Sequence, residues 1–164
     1  MLTDTMEAAL NEQIREEMYS SYLYLAMSAF FEGLDLRGMA KWMRLQAQEE
    51  FGHAMKLFDY IFERGGAVTL KALAEPQATW ASPAAAFAAA LAHERHITAC
   101  IHRLVEQAAA ERDHGTVNFL QWFVKEQVEE EASVEPIARR LEKIGDHMMG
   151  LLLIDRETGG RTED

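Results

Sequence analysis

The sequence predicts an all-α protein in which four long helices form a bundle, with one long crossover connection and a short fifth helix at the C-terminal end. Apolar residues make up 49% of the 164 residues and only three residues are proline, a composition that favours long helices over sheet. Apolar side chains also recur at three- and four-residue spacing along four extended stretches, which is the period of an amphipathic helix. A chain of this length forms one domain, residues 1–164.

Capping and breaking residues set the predicted boundaries of the first two helices. Thr3 or Asp4 can cap the first helix, which we expect to end at Gly33. Asp35 is the predicted cap of the second helix, which runs to the glycine pair 65–66. Because the link between them is short, the two helices should be antiparallel neighbours.

Residues 65–82 are the predicted crossover. They show no sustained periodicity and include Pro76, and an irregular stretch of this length is unusual unless it crosses the length of the molecule. Ser82 and Pro83 then provide a cap and a first-turn proline for a third helix that ends near Arg112.

The last part of the chain contains the fourth and fifth predicted helices. Residues 113–116 turn the chain into the fourth helix, so the four-helix bundle covers about residues 4–144. Gly145 ends that helix, and a short fifth helix follows at about 146–157. We expect residues 158–164 to form a frayed tail, because chain ends are poorly ordered unless something ties them down.

Each of the four long helices carries acidic or other ligand-type residues in the middle of its apolar stripe. In chain order these are Glu17, Glu50 with His53, Glu94, and Gln127 with Glu130. Burying a carboxylate without a partner is costly. Protonation or a buried ion-pair network would be the alternatives to a bound metal. The pattern favours a metal site, because the nearby basic residues project away from the stripe centres: Arg44, Lys56, Arg95 and Lys125.

The residue types in these stripes narrow the choice of metal. Carboxylates with one imidazole and no thiolate suit iron or manganese and can also accept zinc. Four carboxylates balance the charge of two divalent ions, so the composition of the stripes favours a dinuclear site. Glu50 and His53 are three residues apart and point the same way, so one helix can hold a metal while Glu50 bridges to a second.

The formal net charge of −11 argues against a nucleic-acid partner and for attraction of cations. Part of the excess lies next to the proposed metals, at Glu49, Glu126, Glu129 and Glu131. These flanking acids form either an outer metal site and a route for ions, or an ordinary solvated surface.

A second apolar face predicts association between subunits. Tyr19, Leu23, Ala26 and Phe30 lie opposite Glu17 on the first helix, and the second helix carries Phe51, Phe58 and Phe62. A helix that is apolar on two sides in a small protein usually marks a subunit interface, here a two-fold pair of first and second helices. A thick monomer core is the alternative.

Two further features bear on location and redox chemistry. The chain has no basic, apolar signal pattern and no uncharged apolar stretch long enough to span a membrane, which predicts a cytoplasmic protein without a membrane partner. The single Cys100 rules out an internal disulfide, and we expect it to be an inert, packed thiol.

Three segments of the chain resemble prokaryotic non-haem ferritin. They are Tyr-Ser-Ser-Tyr-Leu-Tyr at 19–24, Ala-Gln-Glu-Glu at 47–50 with His53, and Asn-Phe-Leu-Gln-Trp-Phe at 118–123 followed by Glu-Gln-Val-Glu-Glu at 126–130. The likeness covers essentially the whole chain, including the fifth helix. It implies a ferritin-like fold, a hollow cage of 24 subunits built from two-fold dimers, and a ferroxidase that oxidises Fe(II) with oxygen or hydrogen peroxide and stores ferric mineral.

The resemblance also implies roles for individual residues. Two irons would be held at the ferroxidase centre, the first by Glu17, Glu50 and His53, and the second by Glu50, Glu94 and Glu130, with Gln127 beside it. A possible third iron site would use Glu49, Glu126 and Glu129 with Glu130. Tyr24 matches the family's tyrosine near the centre, and it lies on the same helix face as Glu17. An ordinary core tyrosine with a hydrogen-bonded hydroxyl is the alternative for Tyr24.

Two departures from related families refine these expectations. Gln127-x-x-Glu130 stands where haem-containing bacterioferritins and rubrerythrin-like oxidases carry a second Glu-x-x-His. The second iron therefore lacks an imidazole, which suits a transit site better than a permanent cofactor. Phe51 follows Glu50 where a haem-bridging methionine would stand, so no haem is expected.

Three alternatives to a storage ferritin remain at this point. One is a non-storage diiron oxidase. The second is a miniature ferritin of the kind that coats DNA and detoxifies iron and peroxide, which would carry a basic terminal arm and no fifth helix. The third is a metal-free helical adaptor with an acidic surface.

Overall fold

The computed structural model describes residues 1–162, which form five helices and no strand. The helices are α1 (Asp4–Gly33), α2 (Arg37–Glu63), α3 (Pro83–Ala110), α4 (His114–Ile144) and α5 (Met148–Thr158). The all-α prediction, with four long helices and a short fifth, is confirmed. None of these helices is both long enough and apolar enough to cross a membrane.

The bundle is built from two helical hairpins, α1 with α2 and α3 with α4. The irregular segment 64–82 joins them by running back along α1. Near its beginning, Thr69 N donates a hydrogen bond of 2.6 Å to Asn11 Oδ1. Near its end, the Trp80 ring packs 5.3 Å from the ring of Phe30. The segment therefore returns the chain along α1 to the end of the bundle where α2 begins, and it is the long crossover predicted from the sequence.

The predicted caps of α1 and α3 are present, but the predicted cap of α2 is wrong. Asp35 does not cap α2, which begins at Arg37 after Leu36, a residue that makes no side-chain capping bond. Asp35 instead has a φ of 57° and closes the end of α1. Its N–H donates to Glu32 O, while Leu36 N donates to Phe31 O. This pair of bonds satisfies the last carbonyls of α1 and needs one residue in the left-handed region, which aspartate tolerates.

The expectation of a frayed tail over 158–164 also differs from the structure. Thr158 is the last residue of α5 and is buried. Arg161 lies against α2, where its guanidinium carbon is 4.6 Å from the centre of the Trp42 ring. Tertiary contacts with α2 hold this segment, although its own sequence has no apolar period. Residues 163 and 164 lie outside the described part of the chain.

Helix α5 packs across the beginning of α2, where Gly38 permits close approach of the two backbones. Asp155 Oδ1 accepts a hydrogen bond of 2.8 Å from Met39 N, and Lys41 Nζ donates one of 3.0 Å to Gly159 O. A Cβ added at Gly38 would lie only 1.7 Å from Asp155 O. The glycine is therefore required for α5 to dock.

Replacing Gly38 by alanine should therefore destabilise the protein by about 3 kcal/mol and lower its melting temperature by about 10 °C, because a backbone oxygen cannot move aside as a flexible side chain would. Gly52 lies in the same helix with open space around its Cα. Gly52→Ala is the matched control and should stabilise by about 0.5–1 kcal/mol. Thermal unfolding of both variants checks the prediction. Equal melting temperatures would contradict it.

The core consists of two apolar clusters separated by a polar layer. The first apolar cluster includes Phe31, Trp42, Phe87 and Leu141, and the second includes Leu10, Leu57, Ile101 and Leu120. All four long helices cross both clusters. We call the buried polar residues between the clusters the polar layer: Glu17, Glu50, His53, Glu94, Gln127 and Glu130. This layer lies near the middle of each helix and contains the predicted ligands.

The exposed apolar surface differs in part from the predicted interface. Leu23 is buried, and Tyr19 and Phe30 pack against the first apolar cluster, so these residues belong to the subunit's own core. Phe58 likewise packs against the second cluster. Phe51 and Phe62 are exposed as predicted, and on α1 the exposed apolar residues are Tyr22 and Leu25. The predicted stripe was shifted around α1 because the crossover and α3 cover more of that helix than the sequence indicated.

Candidate metal centre

The candidate metal centre is the polar layer, to which all four long helices contribute. Each of its six residues is at most 5% exposed. No Cα of α2 lies within 8 Å of a Cα of α4, so long side chains fill the space between these two helices. The six predicted inner residues are therefore brought together in one water-poor region.

The ligand atoms of this centre form two groups that share one carboxylate. Glu17, Glu50 and His53 each offer one ligand atom, and these three atoms lie within 4.8 Å of one another. Glu50, Glu94 and Glu130 form a second group within the same limit. Two groups joined through Glu50 suit a pair of metal ions bridged by a carboxylate.

The imidazole of His53 is fixed by its neighbours. Its Nδ1 lies 3.2 Å from Glu50 Oε2, and its Nε2 lies 3.7 Å from Glu126 Oε1. The ring packs against Trp122 and Phe123, with centroid distances of 5.4 and 6.3 Å. Aromatic packing on one side and carboxylates at both nitrogens restrict the ring to an orientation in which it can bind a metal.

Two glutamines that the sequence analysis missed hold the carboxylates in place. Gln13 Nε2 donates a hydrogen bond of 2.9 Å to Glu17 Oε1. Gln46 is fully buried, and its Nε2 donates to Glu50 Oε1 at 3.0 Å and to Glu130 Oε2 at 2.5 Å. Each glutamine lies four residues before a carboxylate that it contacts, so the helical spacing was a usable signal.

Tyr24 and Gln127 both contact the Glu94 carboxylate. Tyr24 is fully buried, and its hydroxyl donates to Glu94 Oε1. Gln127 Nε2 donates to Glu94 Oε2 at 3.3 Å. Burial, and then the Glu94 carboxylate, raise the pKa of Tyr24 well above its usual value. Tyr24 therefore remains protonated and orients a candidate ligand.

Among the described residues, no lysine or arginine neutralises the carboxylates of the centre. Among residues 1–162, no Lys or Arg forms a salt bridge with Glu17, Glu50, Glu94 or Glu130. Burial first, and then the charge of neighbouring carboxylates, raise the pKa of Glu17 and Glu50 well above the ordinary value. Burial also raises the pKa of Glu94 to about 7 and that of Glu130 to about 8.

One oxygen of Glu17 gives an independent sign that the centre fits a cation. Glu17 Oε2 is buried and has no hydrogen-bond partner. A buried oxygen without a donor is costly, and a metal ion would satisfy it. The donor set of hard carboxylate oxygens and one imidazole nitrogen matches iron, manganese or zinc.

The predicted outer site is only partly assembled. Glu126 lies with His53 and Glu130 in a third group of ligand atoms within 4.8 Å. A cavity of about 550 Å³ lies beside this group and is lined by Glu126, Glu129 and Glu130. The side chain of Glu129 is 61% exposed and pairs with a lysine. Glu49 also lines this cavity, but its carboxylate forms a salt bridge with Arg161 and does not join the group of ligand atoms.

Comparison with known proteins gives consistent matches over almost the whole chain. Residues 7–144 match the ferritin family through its ferritin-like domain. The bacterial non-heme ferritin of Bacteroides fragilis is 42% identical over 161 residues, which covers 98% of this chain and 100% of that protein. The bacterial non-heme ferritin of Staphylococcus aureus is 35% identical over 164 residues, covering 100% of this chain and 99% of the relative.

Solved structures show the same similarity in three dimensions. An open pore ferritin from the hyperthermophilic archaeon Archaeoglobus fulgidus is 49% identical and superposes with a TM-score of 0.97, covering 99% of each chain. An engineered closed form of the ferritin from that archaeon is also 49% identical, with a TM-score of 0.98 and full coverage of both chains. The similarity includes α5 as well as the four-helix bundle.

Proposed function

The chain belongs to the ferritin family, and from this premise we propose that it oxidises Fe(II) at a dinuclear centre within each subunit and stores the iron as ferric mineral inside an oligomeric cage. The bacterial non-heme ferritins among its relatives support an iron-storage role. The oxidation step rests on the residues of the polar layer, and in this proposal iron is the substrate and the stored cargo of the protein.

One observation carries the proposal: two groups of ligand atoms share the Glu50 carboxylate, inside a buried layer whose carboxylates form no salt bridge with a lysine or arginine of the described residues. We assign the first iron to Glu17, Glu50 and His53, and the second to Glu50, Glu94 and Glu130. The unpartnered Glu17 Oε2 supports the first assignment. The four carboxylates would balance the charge of two Fe(II) ions.

The chemistry of such a pair is a concerted loss of two electrons. Each Fe(II) gives up one electron, and together they reduce one oxygen molecule to hydrogen peroxide with uptake of two protons, or one peroxide to two waters. Holding both ions close to one oxidant prevents the release of one-electron products, and proximity supplies much of the rate. The carboxylates stabilise the higher charge of the ferric ions as it develops.

The two iron positions should differ in affinity. The first position has an imidazole and the second has none, since Gln127 stands beside it and Ile97 follows Glu94 at the corresponding spacing. A site of carboxylates alone holds a transition metal less tightly. We therefore propose that the second position passes iron onward, through the cavity lined by Glu126 and Glu129, to the growing mineral.

A cage is part of the same proposal. Tyr22, Leu25, Phe51 and Phe62 expose between 47% and 55% of their surface, and exposed apolar residues of this size mark interaction surfaces. They lie on α1 and α2, which suits pairing of two subunits through these helices. We propose a cage of 24 subunits built from such two-fold dimers, working in the cytoplasm without a membrane or nucleic-acid partner.

Iron loading of the metal-free protein tests this function. Stopped-flow absorbance should show a fast ferric phase that saturates at two Fe(II) per subunit. Electron microscopy after further iron addition should show a hollow particle that acquires an electron-dense core. A protein that binds no iron, or that oxidises it no faster than buffer, would refute the proposal. Fast oxidation without a core would instead indicate a diiron oxidase without storage.

A further inference from the structure

Arg161 forms hydrogen bonds with two side chains beside the metal centre. Its Nη1 donates a hydrogen bond of 2.8 Å to Gln46 Oε1, and its Nη2 lies 2.5 Å from Glu49 Oε2. Its guanidinium also stacks over Trp42. The side chain is 19% exposed, so these three contacts define one position for the charge.

The segment that carries Arg161 is itself anchored to α2. Lys41 Nζ donates to Gly159 O, and Asp155 Oδ1 accepts from Met39 N. These contacts do not involve the guanidinium, and neither does the close approach of α5 at Gly38. The fold therefore places a positive charge at the edge of the centre. The segment that carries Arg161 stays anchored to α2 even when the guanidinium leaves Glu49.

The guanidinium of Arg161 binds the carboxylate of Glu49, which is also a candidate ligand for an outer metal ion. Glu49 lines the cavity beside Glu126 and Glu129, and it is the member of this outer group that pairs with Arg161. The guanidinium binds Glu49 Oε2 through a short, charge-assisted bond, so this oxygen is less available to a metal ion, and coordination through both oxygens of Glu49 requires the arginine to leave. A divalent ion near Glu49 would also be repelled by the arginine.

We propose that Arg161 is a built-in counter-cation that competes with metal ions for Glu49 and so controls occupation of the outer position. The inference rests on the proposed function, because it concerns iron leaving the same dinuclear centre. An arriving ion displaces the guanidinium from Glu49, and when no ion is present the arginine neutralises that carboxylate.

The contact with Gln46 connects this exchange to the inner centre. Gln46 uses its oxygen for Arg161 and its amino group for Glu50 and Glu130. The arginine therefore fixes the direction in which the amide points. Arg161 is a positioning residue for the two carboxylates, and its departure loosens the Gln46 amide at the moment when an outer ion is bound.

Zinc binding to the assembled, metal-free protein tests the competition, since Zn²⁺ takes the same ligands without being oxidised. In calorimetric titrations, Arg161→Gln should tighten the outermost binding step about tenfold, the factor expected from removing one charge-assisted bond. The steps assigned to the inner pair should change much less, because Gln46 keeps its own hydrogen bonds to Glu50 and Glu130. Arg156→Gln is the matched control, since Arg156 is exposed on α5. Arg161→Lys keeps the charge and should lie between the two.

The direction of the effect separates this role from a structural one. Loss of a merely structural contact would weaken zinc binding, whereas loss of a competitor strengthens it. The gain should disappear in a Glu49→Gln background, where no carboxylate remains to be released. An outer step that is unchanged or weaker in Arg161→Gln would overturn the inference even if two inner ions still bind. Absence of the inner steps in the parent protein would instead count against the proposed function.

A second measurement needs no change at Arg161. If zinc displaces the guanidinium of Arg161 from Glu49, the guanidinium also moves away from the Trp42 ring. Saturation of the outer zinc site should therefore change the tryptophan fluorescence of the parent protein. That part of the change should be missing in Trp42→Phe. Identical zinc-dependent changes in the two proteins would overturn the inference, including in the case that Arg161→Gln does not assemble.

Discussion

Replacing Glu50 by alanine should abolish the fast phase of Fe(II) oxidation, with an initial rate lower by about 100-fold or more. Glu50 is the one carboxylate shared by both groups of ligand atoms, so its loss removes a ligand from each iron and the bridge between them. Changes to mere partners of metal ligands already cost about 10–100-fold. Stopped-flow absorbance at two Fe(II) per subunit measures the rate, and zinc calorimetry reports the lost binding.

A matched acidic residue controls for charge. Glu106 is exposed on α3, outside the groups of ligand atoms, and Glu106→Ala should oxidise iron at the parent rate. Glu94→Ala should also lose the fast phase, because it removes a ligand of the second iron while leaving the first group of ligand atoms complete. An unchanged rate in Glu50→Ala would reject the assignment of the centre.

The metal-free protein should lose stability as the pH rises from about 5 to about 8, and metal ions should restore it. The pKa of Glu94 is raised to about 7 and that of Glu130 to about 8, from an ordinary value of 4.5, chiefly by burial. In this interval the folded protein holds protons that the unfolded chain has released, so raising the pH favours unfolding. This contribution is complete below pH 4.5 and is lost as the pH passes through 7 and 8.

Thermal unfolding with and without zinc checks this dependence. Metal binds the ionised carboxylates, so its stabilisation should grow with pH, reaching about 2.7 kcal/mol per site at 100 times the dissociation constant. That corresponds to a rise in melting temperature of about 5–10 °C. The melting temperatures measured with and without zinc should converge near pH 5 and differ most near pH 8. Glu130→Gln removes one titrating carboxyl and should flatten the metal-free curve. A metal-free protein that is most stable at pH 8 would contradict the prediction.

The fold and the inner residues of the centre were accessible from the sequence because both depend on helical periodicity. Glu17, Glu94 and Glu130 each interrupt an apolar stripe, and stripes of one bundle must meet in one core. The same reasoning extends to Gln46, which lies one turn before Glu50 on the buried face. It was missed because an uncharged amide in a core does not demand a partner as strongly as a carboxylate does.

Other features could not be predicted because they arise from tertiary contacts. Aspartate is a residue type that often caps a helix, but the short turn after α1 requires a left-handed backbone conformation at Asp35. Arg161 lies in a segment without apolar period, and its partner Glu49 is 112 residues away in sequence. The exposed apolar residues of α1 depend on how far the crossover covers that helix. In each case the deciding contact involves a second element whose position the local sequence does not contain.

The polar layer between the two apolar clusters has a consequence for how the empty protein moves. Each cluster can hold its own half of the bundle, while the buried carboxyl groups, and the repulsion among them as they ionise at rising pH, weaken the plane between the halves. Bundles usually fray from their ends, but here backbone amides near the centre of the helices should exchange with solvent unusually readily until ions are bound. Bound iron would then connect the two halves of the bundle, so that they behave as one rigid body.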